Sequence, residues 1–306
     1  MSRAPVRKPG TQRKQPLLTS ASRALRVLKA FDTQRTEFGV TELARETGLS
    51  KSSAHVLLTT LHEERFLDRN TATGRYRLGL AAVRLGVIAL SRTGFGAWSQ
   101  ERLEELSART GESTTIGVLD DDSVLFLQRV GSREVLRVEL TVGARVALHA
   151  SALGKVLLAY APDAERTALL DRLQLPRLAE RTITSRRALE ADLARVRRRG
   201  YAESVEEILP GISAIAAPVR DWTRRVVAGV SVSGPTSRFA PHQAVDEVVA
   251  AGEQLSRELG YTGETAGTSG GATRDSPAPA ERPRAVRART LGPVARAARA
   301  QAPARE

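Results

Sequence analysis

The 306-residue sequence contains no cysteine, which excludes disulfide bonds, cysteine-ligated zinc and thiol catalysis. Apolar residues never run together for the roughly 18 positions that a membrane-spanning helix needs. The amino terminus is basic but lacks the apolar core of a secretion signal. We therefore expect a soluble cytoplasmic protein that does not act at a membrane.

Acidic residues are too few to balance the basic ones: 34 Asp and Glu against 47 Lys and Arg give a formal net charge of +13. Much of the excess lies near the two ends. Residues 1–20 contain five basic residues and no acid, and residues 263–306 contain eight arginines against four acids. The charge indicates a polyanionic partner, although basic ends can also serve solubility alone.

Residues 41–79 predict a winged helix-turn-helix. The segment 41–47 is typical of a short helix with Leu43 and Ala44 facing inward, and Gly48 follows it where a tight turn requires a positive φ. Ser50 offers an N-cap oxygen to a second helix that runs from Lys51 to about Arg65.

The second helix and the segment after it complete the motif. We expect the apolar side of the helix to consist of Val56, Leu57, Leu58 and Leu61. Two short strands around an Asn/Thr/Gly turn follow within 66–79 and carry several arginines. Because such a helix fits the major groove and such a ribbon lies on phosphates, the motif predicts binding to double-stranded DNA.

The rest of the chain mixes helical and strand periodicities. Helices are expected over 20–32, 80–90, 98–110, 152–160, 164–173, 188–199 and 242–259. Strands are expected over 114–119, 124–130, 135–140, 212–220 and 226–233. Antiparallel strands mixed with helices argue for an α+β domain in the second half of the chain.

The predicted organisation has five parts. They are a disordered basic tail (1–18), the winged helix-turn-helix (19–79), a linker helix (80–94), an α+β domain (95–262) and a disordered tail rich in Ala, Pro and Arg (263–306).

The segments described above resemble the IclR-type bacterial transcriptional regulators. The most specific ones are LSKSSAHVLLTTLHEERFL, TGRYRLG, HASALGKVLLA, GYAESVEEILPGISAIAAPVRD and VVAGVSVSGP. They occur in the same order across about residues 20–260. The resemblance implies a GAF-like effector-binding domain with an antiparallel sheet, homodimers or dimers of dimers, and a small organic molecule that modulates operator binding.

The sequence departs from the family pattern in the second helix and in the pocket. The family commonly has Arg where this chain has Val56 in the second helix. Some members have an acid where this chain has Ser204, and a cysteine where it has Ala214. The less polar pocket disfavours a very small, highly charged acid such as glyoxylate.

The candidate DNA-contacting residues are polar or basic and lie on the second helix, on the helix before it and in the wing. They are Arg45, Lys51, Ser52, Ser53, His55, Thr59, Arg75 and Arg77. Other partners are also open to the arginines: Arg45 could pair with Glu42, and the wing arginines with Asp68.

Ser231 and Ser233 alternate with two valines on a predicted strand, so both hydroxyls point to one face and can bind a carboxylate. The resemblance places effector contacts at these serines, and also at Ala152 and Leu153, where a helix begins and offers N–H groups to an anion. By the same resemblance Ser204 and Ala214 line the cavity. Alternatively, the two serines only satisfy a barely buried sheet face.

The residues that could indicate catalysis or metal binding do not form a complete motif. Gly229–Ser233 resembles a nucleophile elbow, but it ends in serine and is followed by Gly-Pro, which cannot start the required helix. The four histidines are scattered, and His149 is better explained as a core or loop hydrogen-bonding residue. Asp120–Asp122 is typical of a solvated hairpin turn. We expect no enzyme activity, no metal and no cofactor.

The sequence thus predicts a regulator that binds a pseudo-palindromic operator as a homodimer or homotetramer and responds to a small organic acid. A repressor is favoured over an activator, and the bacterial nucleoid is its expected location. Alternatives are an architectural DNA-binding protein with little sequence preference, and an enzyme with a vestigial DNA-binding domain.

Overall fold

The computed structural model describes residues 18–135 and 140–263. In its amino-terminal part, three helices pack with a small antiparallel sheet of strand order β1-β3-β2. The elements are α1 (Thr19–Lys29), β1 (Glu37–Phe38), α2 (Val40–Thr47), α3 (Lys51–Glu63), β2 (Leu67–Arg69) and β3 (Tyr76–Leu78). A further helix, α4 (Leu80–Ser91), follows directly.

The turn between α2 and α3 has the predicted chemistry. Gly48 has a φ of +66°, which an L side chain rarely adopts. The Ser50 hydroxyl accepts a hydrogen bond from the backbone N–H of Ser53 at 3.2 Å and so caps α3. Leu43 of α2 and Leu58 of α3 are both fully buried in one apolar cluster.

The expected apolar side of α3 is wrong at one position. Val56 is 62% exposed, whereas Leu58 and Leu61 are buried and Leu57 is partly buried. Each helical residue turns by about 100°, so Val56 lies about 200° from Leu58, on the opposite side of the helix. The sequence reading also missed β1, because two residues are too few to show a strand period.

The carboxy-terminal part is built around a six-stranded antiparallel sheet of order β6-β5-β4-β9-β8-β7. Its strands are β4 (Ser113–Asp120), β5 (Ser123–Val130), β6 (Arg145–Ala147), β7 (Ala202–Val205), β8 (Ile212–Arg220) and β9 (Val226–Pro235). Its helices are α5 (Ala97–Thr110), α6 (Ala152–Tyr160), α7 (Asp163–Arg172), α8 (Arg186–Arg199) and α9 (Val245–Glu258), the last preceded by a 3-10 turn at Pro241–Ala244.

Each face of the sheet has its own apolar core. Val230 and Val232 of β9 face α5 and α9. The residues that alternate with them face α6, as does Ala216 of β8. The apolar core on this face also includes residues of α7 and α8. The α+β class and the winged helix-turn-helix are thereby confirmed.

Three of the predicted segments lie mostly outside the residues that the structure describes. The strand expected over 135–140 lies mostly in residues 136–139, outside the described part. Nearly all of both predicted tails, 1–17 and 264–306, also lies outside it. The sequence reading missed β6 and β7, which have three and four residues. Within the described part, no helix combines the length and hydropathy needed to cross a membrane.

Candidate DNA-binding surface and ligand cavity

One side of α3 presents most of the predicted DNA-contacting residues to solvent. Lys51, Ser52, His55 and Thr59 are all exposed, and so is Arg45 on α2. The buried side of the same helix is supplied by small and branched apolar residues, which hold it against α1 and α2. A helix held in this way projects its exposed face as a rigid ridge of the width that the DNA major groove admits.

Ser53 differs from its neighbours because its hydroxyl takes part in the cap of α3. It accepts a hydrogen bond from the Ser50 hydroxyl at 2.9 Å, while the backbone N–H of Ser53 donates to the same Ser50 oxygen. Ser52 also lies within hydrogen-bonding distance of Ser50, at 3.1 Å. Replacing Ser53 would therefore disturb the helix start as well as any contact with DNA.

In the wing (residues 67–78), Arg75 and Arg77 have different surroundings. Arg75 donates two hydrogen bonds to the Glu42 carboxylate, at 2.7 and 3.2 Å, and one to the Glu37 carbonyl at 3.0 Å. The Gly39 backbone N–H and then Arg75 hold the pKa of Glu42 below its usual value. Arg75 thus clamps the wing to α2. Arg77 is exposed, in cross-strand register with Asp68.

The carboxy-terminal part encloses a cavity of about 570 Å³ between the sheet and α6. All six residues predicted to contact an effector line it: Ala152, Leu153, Ser204, Ala214, Ser231 and Ser233. They come from four separate elements, α6, β7, β8 and β9. Whether they contact a ligand stays a prediction, but the structure brings all of them to one cavity.

The sheet side of this cavity carries free hydroxyl groups. Within the described residues, the side chains of Ser231 and Ser233 have no hydrogen-bond partner, although Ser231 is only 5% exposed. Ser204 differs, because its hydroxyl donates to the Ala150 carbonyl at 2.7 Å. A hydroxyl that faces a cavity and is not engaged by the protein can donate to a ligand there, so the two β9 serines are the natural hydrogen-bond donors for a bound anion.

Thr115 is a cavity residue that the sequence reading missed. It lies on β4 directly opposite Ser231 and lines the same cavity. Arg129 donates to its Oγ1 at 3.1 Å, which leaves the Thr115 hydroxyl proton free to point into the cavity. Thr115 stands in a run of three hydroxyl-bearing residues, 113–115, that does not show which side chain faces the cavity. Its position beside Ser231 depends on the β4–β9 pairing, which the sequence does not show either.

The start of α6 faces the same hydroxyl groups. Ser151 caps this helix, accepting from the Gly154 N–H at 3.0 Å and donating to the Ala147 carbonyl at 2.7 Å. The first-turn N–H groups of Ala152 and Leu153 have no acceptor within the helix. Together with the helix dipole they favour a negative charge at this end of the cavity.

The rest of the cavity wall is mostly apolar. Its large apolar residues are Phe126, Leu140, Val146, Leu153, Leu178, Ile208, Leu209 and Ile212. The wall also contains Arg145, which is paired with Asp120 at 2.9 Å. Nowhere in 18–135 or 140–263 do three or more His, Asp or Glu side chains converge as metal ligands would. The cavity therefore suits an organic molecule with one polar end.

A buried lysine lies behind the cavity on α6. The Lys155 ammonium contacts the Glu207 carboxylate, lies 3.0 Å from Asp192 Oδ2 and donates to the Glu203 carbonyl at 3.1 Å. Burial raises the pKa of Glu207 despite this contact. Burial also opposes ionisation of Asp192, but the charges of Lys155 and Arg195 hold its pKa below the usual value.

Two other candidate positions behave as structural residues. His149 is 2% exposed, and its Nε2 lies 3.1 Å from the Pro176 carbonyl, so this nitrogen carries the proton. Burial lowers the pKa of His149 and keeps the ring neutral. The segment Gly229–Ser233 continues as strand through Pro235, paired with β8, and so does not form a nucleophile elbow.

The chain matches two family models. The IclR helix-turn-helix domain matches residues 20–71, and the model described as bacterial transcriptional regulator IclR C-terminal matches residues 87–259.

Individual proteins are similar over most of their length. The HTH-type transcriptional regulator XynR of Escherichia coli (strain K12) is 36% identical over 249 residues, which cover 80% of this chain and 99% of that protein. The transcriptional repressor IclR of the same strain is 31% identical over 229 residues, covering 74% of this chain and 84% of that one. The crystal structure of an IclR homolog complexed with 4-hydroxybenzoate, from Microbacterium hydrocarbonoxydans, has a TM-score of 0.70 at 29% identity and covers 79% of this chain and 99% of that one.

Replacing Lys155 by Met should lower the free energy of unfolding by about 3–5 kcal/mol, because two buried carboxylates lose their cation. As a control, Arg195→Ala removes a 60% exposed partner of Asp192 and should cost less than about 1 kcal/mol. Urea unfolding followed by circular dichroism measures both. Equal stabilities for the two variants would show that the buried lysine does not hold this part of the domain together.

Proposed function

This chain belongs to the IclR family of bacterial transcriptional regulators, and we propose that it represses transcription by binding an operator with an affinity that changes when a carboxylic acid occupies its cavity. The observation that carries the proposal is a pair of hydroxyls, Ser231 and Ser233, that line the cavity opposite the start of α6 and have no hydrogen-bond partner among the described residues. Such a regulator acts on DNA at the nucleoid, in the bacterial cytoplasm.

The DNA-binding half of the proposal rests on α3 and the wing. The exposed side of α3 enters the major groove, where Ser52, His55 and Thr59 reach base edges and Lys51 reaches phosphate. Arg77 is free to reach the backbone from the wing. Arg75 fixes the angle between the wing and α2 through its hydrogen bonds to Glu42. It can contact DNA only if its guanidinium binds a phosphate and Glu42 at the same time.

Self-association is supported by α4. This helix has no buried residue, and its exposed apolar side chains are Leu80, Val83, Leu85, Val87, Ile88 and Leu90. An apolar surface of this extent on a short helix is a liability in water. A second copy of the chain is the partner that fits, because two-fold related helix-turn-helix domains match a pseudo-palindromic operator.

The size and lining of the cavity define the class of effector. A volume of about 570 Å³ lies within the range of about 300–1,000 Å³ typical of pockets for drug-sized molecules. A two- or three-carbon acid would leave most of the apolar wall in contact with water or empty space. We therefore propose a monocarboxylate with an aromatic or similarly bulky apolar body. The 4-hydroxybenzoate bound by the Microbacterium homolog belongs to this class.

The carboxylate of this effector would lie at the polar end of the cavity. Ser231, Ser233 and Thr115 supply hydroxyl donors from the sheet, and the first turn of α6 supplies backbone N–H groups. Bound acid would favour one arrangement of the paired DNA-binding domains. By linkage, operator affinity then changes by the ratio of the acid's affinities for the two arrangements.

Specific DNA binding is tested by fluorescence anisotropy on the intergenic DNA upstream of the gene, with a shuffled duplex as control. Wild type should prefer the native duplex by about a thousandfold or more. Ser52→Ala combined with Thr59→Ala should weaken operator binding roughly tenfold or more, because base contacts are lost. Thr167→Ala, at an exposed position of α7, should change nothing. Equal binding of wild type to both duplexes would favour the architectural alternative.

Self-association through α4 is tested by sedimentation velocity at micromolar concentration. Wild type should sediment as a dimer or larger, and Leu85→Glu combined with Ile88→Glu should sediment as a monomer, because two charges cannot be buried in an apolar interface. Arg84→Ala on the same helix is the matched control and should remain associated. A wild type that is already monomeric would contradict this interface.

Effector binding is tested by calorimetry with 4-hydroxybenzoate, other aromatic and branched monocarboxylates, and the corresponding amides. At least one acid should bind, with its neutral amide much weaker. Ser231→Ala combined with Ser233→Ala should weaken that binding roughly tenfold to a hundredfold, since two hydrogen bonds to a charged group are lost.

Ser213→Ala is the matched control for effector binding. Ser213 lines the same cavity, but its hydroxyl is already paired with Thr236 at 2.8 Å. The Ser213→Ala variant should therefore bind the acid almost as tightly as wild type does. If the double variant binds as tightly as wild type, the carboxylate does not lie at the β9 serines.

A further inference from the structure

Val56 has no structural role in the domain that contains it. It is 62% exposed, while Ala54 and Leu58 of the same helix are fully buried. The helix contacts its neighbours through the buried side, so the isopropyl group of Val56 adds nothing to the core. A β-branched residue is also a poorer helix former than many polar residues. Neither packing nor helix propensity explains valine here.

The position of Val56 gives it a different environment. It lies near the centre of the exposed side of α3, about one turn from Ser52 and from Thr59. The hydroxyl of Thr60, the next exposed residue along this side, donates back to the Val56 carbonyl at 2.9 Å. A single apolar group is thus surrounded by small polar side chains on the side that the proposed function inserts into DNA.

The chemistry of the major groove leaves one close match for an isopropyl group. Each base pair presents hydrogen-bond donors and acceptors there, and thymine also presents its C5-methyl group. An isopropyl group can satisfy no donor or acceptor, so packing it against them costs free energy by desolvation. Contact with a methyl group instead buries apolar surface on both partners.

We propose that Val56 reads one thymine in each operator half-site through the C5-methyl group. The inference rests on the proposed function, since α3 must lie in the major groove. It goes beyond that function by assigning the base and the atom recognised. Ser52 and Thr59, on either side of Val56, would then recognise neighbouring positions by hydrogen bonds.

Replacing thymine with deoxyuridine tests the proposal, because it removes the methyl group and leaves every donor and acceptor unchanged. An operator is first selected from random duplexes with the full-length protein. Each thymine is then replaced singly, in both half-sites together. Wild type should lose roughly fourfold in affinity per half-site at one position, the effect expected for one buried methyl group.

Two variants assign that effect to a side chain. Val56→Ala, which has less apolar surface to offer the methyl group, should prefer the thymine operator over the deoxyuridine operator clearly less than wild type does at that position. Its unfolding midpoint should be unchanged because the side chain is exposed. Ser52→Ala is the control and should still distinguish the two bases there. The proposal is supported if the preference for thymine over deoxyuridine falls in Val56→Ala but not in Ser52→Ala.

Two results would overturn the proposal while leaving the proposed function intact. In one, wild type prefers its operator over shuffled DNA but is insensitive to every thymine replacement. In the other, Val56→Ala responds to the same replacement as strongly as wild type does. If wild type selects no operator at all, the proposed function fails, and the assignment of Val56 falls with it.

Discussion

The close approach of α6 to the central sheet is the constraint on which the effector half of the molecule depends. Two glycines, Gly117 on β4 and Gly229 on β9, are paired on adjacent strands beneath this helix and leave room for its side chains. A Cβ at Gly229 would lie 2.8 Å from Leu153 Cδ2, and a Cβ at Gly117 would lie 2.7 Å from Val124 and 3.0 Å from Leu153. A side chain at either position would displace Leu153, the α6 residue that lines the cavity beside the β9 serines. The two missing side chains thus leave the space in which Leu153 of α6 packs against the sheet.

The same helix is held from behind by the buried Lys155. Its ammonium group joins α6 to α8 through Asp192 and to the segment between β7 and β8 through Glu207. Ile208 and Leu209, which follow Glu207, form part of the cavity wall. Buried ion pairs contribute little net stability compared with apolar packing. Their effect here is positional: one charge fixes the helix end and the cavity wall relative to each other.

Local sequence signals predicted the parts of the molecule that depend on neighbouring residues. Gly48 and Ser50 marked the turn between α2 and α3, and the two-residue period of β9 placed Ser231 and Ser233 on one face. What the sequence did not reveal depends on contacts between distant segments. Val56 reads as a core residue until the packing of α3 is known. Thr115 reaches the cavity only through pairing of β4 with β9, more than a hundred residues apart in the chain. Arg75 clamps Glu42, a partner 33 residues away.

Under the proposed function, the chemistry of α3 explains why the state of association matters. Its exposed side carries one lysine and one glutamate among a serine, two threonines, a histidine and Val56. Such a surface distinguishes bases but neutralises few phosphates, and phosphate contacts supply much of the affinity of most DNA-binding proteins. A single domain would therefore bind weakly, and tight binding requires two domains at the correct spacing. An effector need not touch α3 to control the operator. The apolar α4 helices would hold two copies of the chain together. It is then sufficient that the bound acid changes the distance or angle between their two DNA-binding domains.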